Sequence, residues 1–101
     1  MVKQALRGTM GLAIKEGVAI AAVEQLGFKS GHALSLGALA AAYVYVAEWL
    51  GKYSLSGNPQ VDRSLVIGLL GIAGNSYLKT GRSPVYSFLE FAGVDYAARM
   101  A

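Results

Sequence analysis

The two longest uncharged stretches of the chain, residues 33–47 and 64–78, limit most strongly what it can fold into. No acidic or basic residue occurs between His32 and Glu48, and Ala, Leu, Val and Tyr dominate the interval. As a helix, residues 33–51 would reach roughly 28 Å at about 1.5 Å per residue, which is close to the thickness of a hydrocarbon core. This length and composition predict a transmembrane helix over residues 33–51.

The second stretch, residues 64–78, is also uncharged but would reach only about 22 Å as a helix. Spanning a bilayer would then require flanking residues or a locally thinner bilayer. Residues 52–63 contain Gly57, Asn58 and Pro59 in succession, which is typical of a turn. We therefore predict a loop over 52–63 and a second transmembrane helix over 64–78, with Asp62 or Ser64 as its N-cap.

The segment 9–28 has the composition of a helix but contains Lys15, Glu16 and Glu24. A projection at 100° per residue scatters these charges around the helix. Each charge near a bilayer centre would cost about 2.5–3.5 kcal/mol on insertion scales. We expect this helix to pack on protein or to lie near the interface, and a third span is the alternative.

The C-terminal segment 84–100 begins with Ser83 and Pro84, which are typical of an N-cap and a first helical position. An apolar stripe follows at three- and four-residue steps, which predicts an amphipathic helix lying on the membrane or on a partner. The predicted fold is all-α: a single domain, residues 1–101, formed by a membrane helical hairpin with an N-terminal helix and a C-terminal amphipathic helix. The stripe consists of Val85, Phe88, Leu89, Ala92, Tyr96 and Met100.

The overall composition favours a membrane location but leaves a soluble alternative open. Hydrophobic residues make up 54% of the chain and charged residues 15%, against a usual charged fraction of about 25%. Mean hydropathy is only +0.44, so a soluble all-helical binding module remains the alternative. The nine basic residues are scattered, which fits anionic lipid headgroups better than nucleic acid.

The distribution of basic residues also predicts an orientation. If only 33–51 and 64–78 cross, just Lys52 and Arg63 lie on one side, so both termini share the more basic side. If 9–28 also crosses, the bias disappears. The basic residues of the favoured side are Lys3, Arg7, Lys15, Lys29, Lys79, Arg82 and Arg99.

Small residues recur on both predicted spans and predict helix-packing faces. Between helices in lipid, close backbone approach at small side chains supplies much of the association energy. The alternative is that Gly is simply frequent in membrane helices. The predicted packing residues are Gly37 and Ala41 in the first span, and Ser64, Gly68, Gly71 and Gly74 in the second.

Aromatic and polar residues near the ends of the spans predict the membrane boundaries. Trp49 and Tyr53 are the expected anchors after the first span, and Tyr77 and Lys79 after the second. Glu24, Glu48 and Asn75 also lie near predicted helix ends, where solvation or an interfacial position is expected.

The sequence contains no pattern typical of catalysis or of metal or cofactor binding. The chain has no cysteine, and its one histidine, His32, has no partner ligands at usable spacing. No phosphate-binding glycine motif and no Ser/His/Asp arrangement occur. We therefore expect neither an enzyme nor a cofactor, and no small-molecule substrate is evident.

In size and layout, the spans Ala33–Gly51 and Ser64–Leu78 with the helix Pro84–Met100 resemble small membrane proteins of bacterial viruses. These include structural proteins of membrane-containing icosahedral phages, and holins. The resemblance implies a structural or assembly protein in a virion internal membrane or a bacterial inner membrane. Its partners would be the lipid bilayer and either further copies or a neighbouring structural protein. A pore-forming, holin-like function is the alternative.

Overall fold

Residues 8–50 and 57–100 are described by the computed structural model, and they form four helices with no β-strand among them. Helix α1 spans Thr9–Ala22 and continues through a π-helical turn, Val23–Gly27; α2 spans Ala33–Leu50. Helix α3 spans Pro59–Leu78 and α4 spans Pro84–Met100. The prediction of an all-α fold is confirmed for this part of the chain.

The turn between α1 and α2 follows directly from the π-helical turn. The Ser30 backbone N–H donates to the Glu24 carbonyl at 3.0 Å, and Lys29 adopts the left-handed conformation with φ of 50°. The His32 N–H donates to Ser30 Oγ at 3.0 Å. These bonds satisfy backbone groups that the end of α1 would leave free.

Helix α3 begins at Pro59, so the predicted loop over 52–63 is wrong for its last five residues. The Asn58 side chain accepts hydrogen bonds from the N–H groups of Gln60 and Val61, at 3.0 and 3.4 Å. Asn58 is therefore the N-cap in place of Asp62 or Ser64, and Pro59 occupies a position where its missing N–H costs nothing. The resulting helix has 20 residues, about 30 Å in length.

Helix α4 begins where Ser83 caps it: Tyr86 N–H donates to Ser83 Oγ at 3.1 Å, and Ser87 N–H to the Ser83 carbonyl at 2.9 Å. The preceding helix ends at Leu78, and its C-cap, Lys79, is left-handed with φ of 55°. The connection between α3 and α4 is therefore short.

Contacts between the helices show that every neighbouring pair runs antiparallel. In the α1–α2 pair, Gly17 lies against Ala41 whereas Ala21, further along α1, lies against Gly37, earlier in α2. Ser64 bonds Asp95 near the start of α3 and the end of α4, whereas Gly68 meets Phe88 further along. Likewise, the end of α2 lies beside the start of α3, where Glu48 meets Arg63. The end of α1 lies beside the start of α4, where Phe28 meets Tyr86. The fold is an up-down-up-down bundle made of two hairpins, α1–α2 and α3–α4.

The apolar core of this bundle consists mainly of small and medium-sized side chains, and Phe91 is the largest of them. Many of the large apolar side chains lie on the outside instead. The buried apolar cluster comprises Ala13, Ile20, Leu36, Ala40, Val44, Ala47, Ile67 and Phe91. The exposed apolar side chains include Ile14, Val18, Leu26, Leu34, Trp49, Leu69, Tyr77, Val85 and Leu89.

Candidate functional site

The acidic residues of this chain face inward. Of the six in the sequence, five are buried and the sixth, Glu48, is half-buried. Asp62 lies in the first turn of α3, where the positive end of the helix dipole stabilises a carboxylate. The other four buried acids all lie on α1 and α4: Glu16, Glu24, Glu90 and Asp95.

One group of charges, which we name the Arg99 cluster, connects all four helices. Asp95 Oδ2 accepts hydrogen bonds from Ser64 Oγ at 2.7 Å and from Arg99 Nε at 2.6 Å. Arg99 Nη1 donates to Glu48 Oε1 at 3.2 Å, and Glu48 Oε2 lies 3.2 Å from Arg63 Nε without hydrogen-bond geometry. The cluster comprises Glu16, Glu48, Arg63, Asp95 and Arg99, with the Ser64 hydroxyl.

Glu16 enters this cluster from α1, and its carboxyl group faces that of Asp95. Glu16 is fully buried, and neither of its oxygens accepts a hydrogen bond from an N–H or O–H group. The second oxygen of Asp95, Oδ1, is also without a donor. Two carboxyl groups therefore face each other in the interior.

The second group, which we name the Arg82 cluster, lies nearer the other end of the bundle and comprises Glu24, Arg82 and Glu90. Arg82 Nη1 donates to Glu24 Oε2 at 2.9 Å, and the guanidinium lies 4.0 Å from the centre of the Phe28 ring. Phe28 packs edge-on against Tyr86, with 5.4 Å between ring centres. Glu90 faces Glu24, and both Glu90 oxygens lack a donor.

The two clusters follow from the spacing of residues along α1. Glu16, Ile20 and Glu24 are four residues apart, so they lie on one face of the helix, and all three are fully buried. The expected scatter of charges around this helix is therefore wrong for Glu16 and Glu24, whereas the adjacent Lys15 does point outward. The eight-residue spacing was the signal in the sequence that could have revealed this face.

The expectation that Glu24 is solvated is also wrong, because Arg82 covers it from 58 positions further along the chain. Glu48 is half-buried with its two arginine partners. Asn75 is buried rather than interfacial: its Nδ2 donates to the Gly71 carbonyl at 3.0 Å, and its Oδ1 accepts from Thr80 Oγ1 at 2.6 Å.

All six residues predicted for helix packing lie at contacts between helices. A Cβ at Gly37 would come within 2.7 Å of the Gly17 carbonyl oxygen and 2.9 Å of Ala21 Cβ, so the α1 and α2 backbones touch here. Gly17 and Ala21 form the matching small-residue pair on α1 and were not among the predicted packing residues. The remaining contacts are Ala41 with Gly17, Gly68 with Phe88, Gly71 with Phe91, Gly74 with Tyr43, and Ser64 with Asp95.

The predicted interfacial anchors lie on the outside of the bundle. Trp49, at the end of α2, is 68% exposed, and Tyr77, at the end of α3, is 82% exposed. Because the two helices are antiparallel, these rings lie at opposite ends of the bundle. Lys79 is exposed next to Tyr77, and Tyr53 lies outside the described residues.

The predicted apolar stripe of α4 faces outward for most of its length. Phe88 and Ala92 contact Gly68 of α3. The other four residues of the stripe are exposed: Val85, Leu89, Tyr96 and Met100. The opposite face, with Ser87, Glu90, Phe91 and Asp95, is buried. Helix α4 thus turns its charged side toward the interior and its apolar side toward the surroundings.

Among residues 8–50 and 57–100, α2 is the one helix that is long and apolar enough to cross a membrane, judged by length and composition. The second predicted span, 64–78, lies within α3, whose first turn also carries Asp62 and Arg63. No group of three or more potential metal ligands occurs within these described ranges. No family of proteins, no curated protein and no solved structure matches the chain.

Proposed function

We propose that this chain is a small integral membrane protein whose four helices lie in the bilayer as one bundle, and that it serves as a structural or assembly component. The observation that carries the proposal is the inverted distribution of side chains: acids inside, large apolar groups outside. Lipid solvates exposed Leu, Val and Ile favourably and leaves buried charges to find partners within the protein.

In water, the same bundle would expose an unfavourably large apolar surface. Monomeric soluble proteins rarely expose contiguous apolar patches of more than a few hundred Å². Here the exposed charges within the described residues are limited to Lys15, Lys29 and Lys79. Lys29 and Lys79 lie in the connections between helices, and the long Lys15 side chain can reach toward the headgroups from the first half of α1.

The exposed aromatic rings support the same location. Trp49, Tyr45 and Tyr96 lie toward one end of the bundle, and Tyr77 and Phe28 toward the other. Aliphatic side chains such as Val18, Leu69 and Leu89 occupy the surface between them. Two aromatic belts separated by an aliphatic band are typical of proteins that cross a membrane.

The bundle favours four crossing segments over a two-helix hairpin with helices at the surface. Helix α1 runs antiparallel beside α2, and α4 runs beside α3, so any bilayer that surrounds α2 also surrounds its neighbours. The insertion cost expected for Glu16 and Glu24 falls because Arg82 and Arg99 offset part of the negative charge of the two clusters.

A structural role fits the interior better than a pore through one copy. Ile20, Val44, Ile67 and Phe91 are fully buried along the axis, so a passage would require these side chains to be displaced. The outward stripe of α4 offers an apolar surface to a second copy or a neighbouring membrane protein. Dye release from liposomes separates the roles: a structural protein releases no dye, whereas a holin-like protein does.

One substitution is costly in lipid and nearly neutral in water. Leu69 lies at mid-length of α3 and is 59% exposed. In a bilayer, Leu69→Lys places a charge near the centre, at a cost of about 2.5–3.5 kcal/mol, so less protein resists carbonate extraction from membranes. In water the same surface change alters stability by no more than about 0.5 kcal/mol.

The matched control is Tyr77→Lys, at the exposed end of the same helix, where a lysine reaches the headgroups. We expect this variant to stay in the carbonate-resistant membrane fraction like the original chain. Recovery of the unsubstituted protein in the supernatant without detergent, together with unchanged folding of Leu69→Lys, would rule out the membrane location and leave the soluble module.

A further inference from the structure

The unpaired carboxyl oxygens of the two clusters need an explanation that the arginines do not give. Glu16 and Glu90 are both more than nine-tenths buried, and none of their four oxygens has a hydrogen-bond donor. Each faces a second carboxyl group that has one oxygen without a donor, Asp95 Oδ1 and Glu24 Oε1. Buried polar atoms are normally satisfied, so six exceptions, three in each cluster, call for a ligand between the carboxyl groups.

The balance of charges gives the charge of that ligand. The Arg99 cluster contains three carboxyl groups and two guanidinium groups, and the Arg82 cluster contains two carboxyl groups and one guanidinium group. With every group ionised, each cluster carries one negative charge too many. An uncompensated charge in the interior is strongly unfavourable, so each cluster requires one additional positive charge.

The geometry also determines where that charge is held. Asp95 already accepts from Ser64 and Arg99, and Glu24 accepts from Arg82, so these two remain carboxylates. Glu16 and Glu90 accept no hydrogen bond, and when protonated each can donate one to the carboxylate that it faces. A single proton on each converts an unpaired carboxyl pair into an O–H···O⁻ hydrogen bond, which is among the short, strong kinds.

We propose that the carboxyl pairs Glu16–Asp95 and Glu90–Glu24 are two proton-binding sites, and that their protons close the interface between α1 and α4. The two sites mirror each other: α1 supplies the acid in one pair and the carboxylate in the other. Ile20 and Phe91, both fully buried, lie on the helix faces between them. The proposal concerns contacts inside the bundle and holds whether lipid or water surrounds it.

Loss of the protons leaves a negative charge on both sides of one helix interface. At Glu16 the facing groups are Asp95 and Arg99 of α4, with Glu48 of α2 and Arg63 of α3 completing the cluster. At Glu90 the facing groups are Glu24 of α1, Arg82 and the neighbouring Tyr86. Because α1 packs chiefly on α2, and α4 on α3, the hairpins can separate along this interface while each stays intact.

The first measurement uses the purified full-length protein and infrared spectroscopy. The wild-type chain should show the C=O stretching band of protonated buried carboxylic acids at neutral pH, with a shift in D₂O. Glu16→Gln and Glu90→Gln should each remove about half of the band, since each variant removes one of the two proposed sites, and the double variant all of it. Lys15→Gln, next to Glu16 but pointing outward, should leave the band unchanged.

The second measurement follows the interface itself. Spin labels at Gly27 on α1 and Val85 on α4, both exposed, report the distance between the helices. Raising the pH until the infrared band disappears should widen this distance in the wild-type chain and leave it unchanged in the double glutamine variant. An amide stays neutral and can still donate to the facing carboxylate.

Three outcomes would overturn the proposal. The first is a wild-type spectrum without a protonated-carboxyl band, which counts even if the variants do not fold. The second is a band that persists at full strength in the folded double variant. The third is a band abolished by sodium chloride but not by choline chloride at constant pH, because the pairs would then hold a metal cation instead of a proton.

Discussion

Arg82 stabilises the buried carboxyl groups of the Arg82 cluster. It supplies the one guanidinium group of the Arg82 cluster, packs over the Phe28 ring and lies in the short connection before α4. Its removal leaves Glu24 fully buried, with the carboxyl group of Glu90 as its one charged neighbour in the cluster. Removal of one member of a buried ion pair is far more costly than replacement of both members.

We therefore predict that Arg82→Ala lowers the free energy of unfolding by about 3 kcal/mol, since an uncompensated carboxylate remains in the interior. Adding Glu24→Gln should restore most of the loss. Thermal or denaturant unfolding of the purified protein, followed by circular dichroism, measures both effects.

The control is Lys79→Gln, which changes an exposed cation three residues away and should alter stability by no more than about 0.5 kcal/mol. Equal stability of Arg82→Ala and Lys79→Gln would show that the ion pair with Glu24 contributes nothing.

At the residue scale, helix caps could be predicted from the sequence, whereas side-chain partners distant in sequence could not. Ser83 and Pro84 lie where they predict a helix start, because a cap involves only neighbouring residues. The same kind of signal at Asn58 and Pro59 was assigned to a turn. Arg82, the partner of Glu24, and Ser64, the α3 partner of Asp95, lie 58 and 31 residues away in sequence, so no local pattern could reveal them.

Among the elements, α1 and α2 approach each other closely at their backbones. Gly17 and Gly37 face each other, and a Cβ on either would lie within 2.9 Å of the other's carbonyl oxygen. Because backbone atoms cannot rotate away as a side chain can, the two helices would have to move apart.

We predict that Gly37→Ala destabilises the bundle by about 1–3 kcal/mol, the usual cost of overpacking. The matched control is Gly93→Ala in α4, where no atom outside the neighbouring turns of its own helix lies within 4 Å of the added methyl group. There the better helix propensity of alanine should stabilise the protein by up to about 1 kcal/mol.

Unfolding of both variants under the same conditions tests the pair. A Gly37→Ala protein as stable as Gly93→Ala would mean that α1 and α2 can separate without loss.

The outward stripe of α4 leads to a prediction about assembly. Val85 and Leu89 are 70% and 62% exposed and contribute little to the core. If a second copy packs on this stripe, the double change Val85→Ala and Leu89→Ala removes contact area and shifts the oligomer toward monomers in mild detergent.

Multi-angle light scattering after size-exclusion chromatography gives the mass directly. Leu69→Ala, an equally exposed site on α3, is the control and should leave the mass unchanged. If the stripe variant and the control retain the same oligomeric mass, the contact surface lies elsewhere.

For the whole molecule, the number of crossings separates the bundle from the hairpin that the uncharged stretches predict. Single cysteines at Gly8, Gly31 and Gln60 are suited to labelling, since all three sites are exposed and the chain has no cysteine of its own. In the four-crossing bundle, Gly8 and Gln60 react with an impermeant thiol reagent from one side and Gly31 from the other.

In the two-crossing hairpin, Gly8 and Gly31 share a side, and Gln60 lies opposite them. Labelling of sealed vesicles before and after permeabilisation distinguishes the two patterns. Cysteines at Gly57 and Gly81 would be poorer choices, because both residues have positive φ, which L side chains rarely adopt.

The composition was sufficient to predict a helical protein, but the number and arrangement of the helices depended on contacts between distant segments. In the sequence, adjacent charges such as Lys15 and Glu16 look alike, although one points outward and the other inward. Glu16 and Glu24 face Asp95, Arg82 and Arg99 inside the bundle. The charges of the first and last helices therefore do not prevent these helices from packing against the other two.

The division of the clusters between two hairpins also affects how the chain is made. During synthesis, α1 and α2 emerge before the residues that face Glu16 and Glu24, namely Asp95, Arg99, Arg82 and Glu90. Until α3 and α4 are made, the first hairpin therefore holds two acids whose partners are absent. A product truncated near residue 58 keeps them in that state, and it should be degraded faster than the full-length chain.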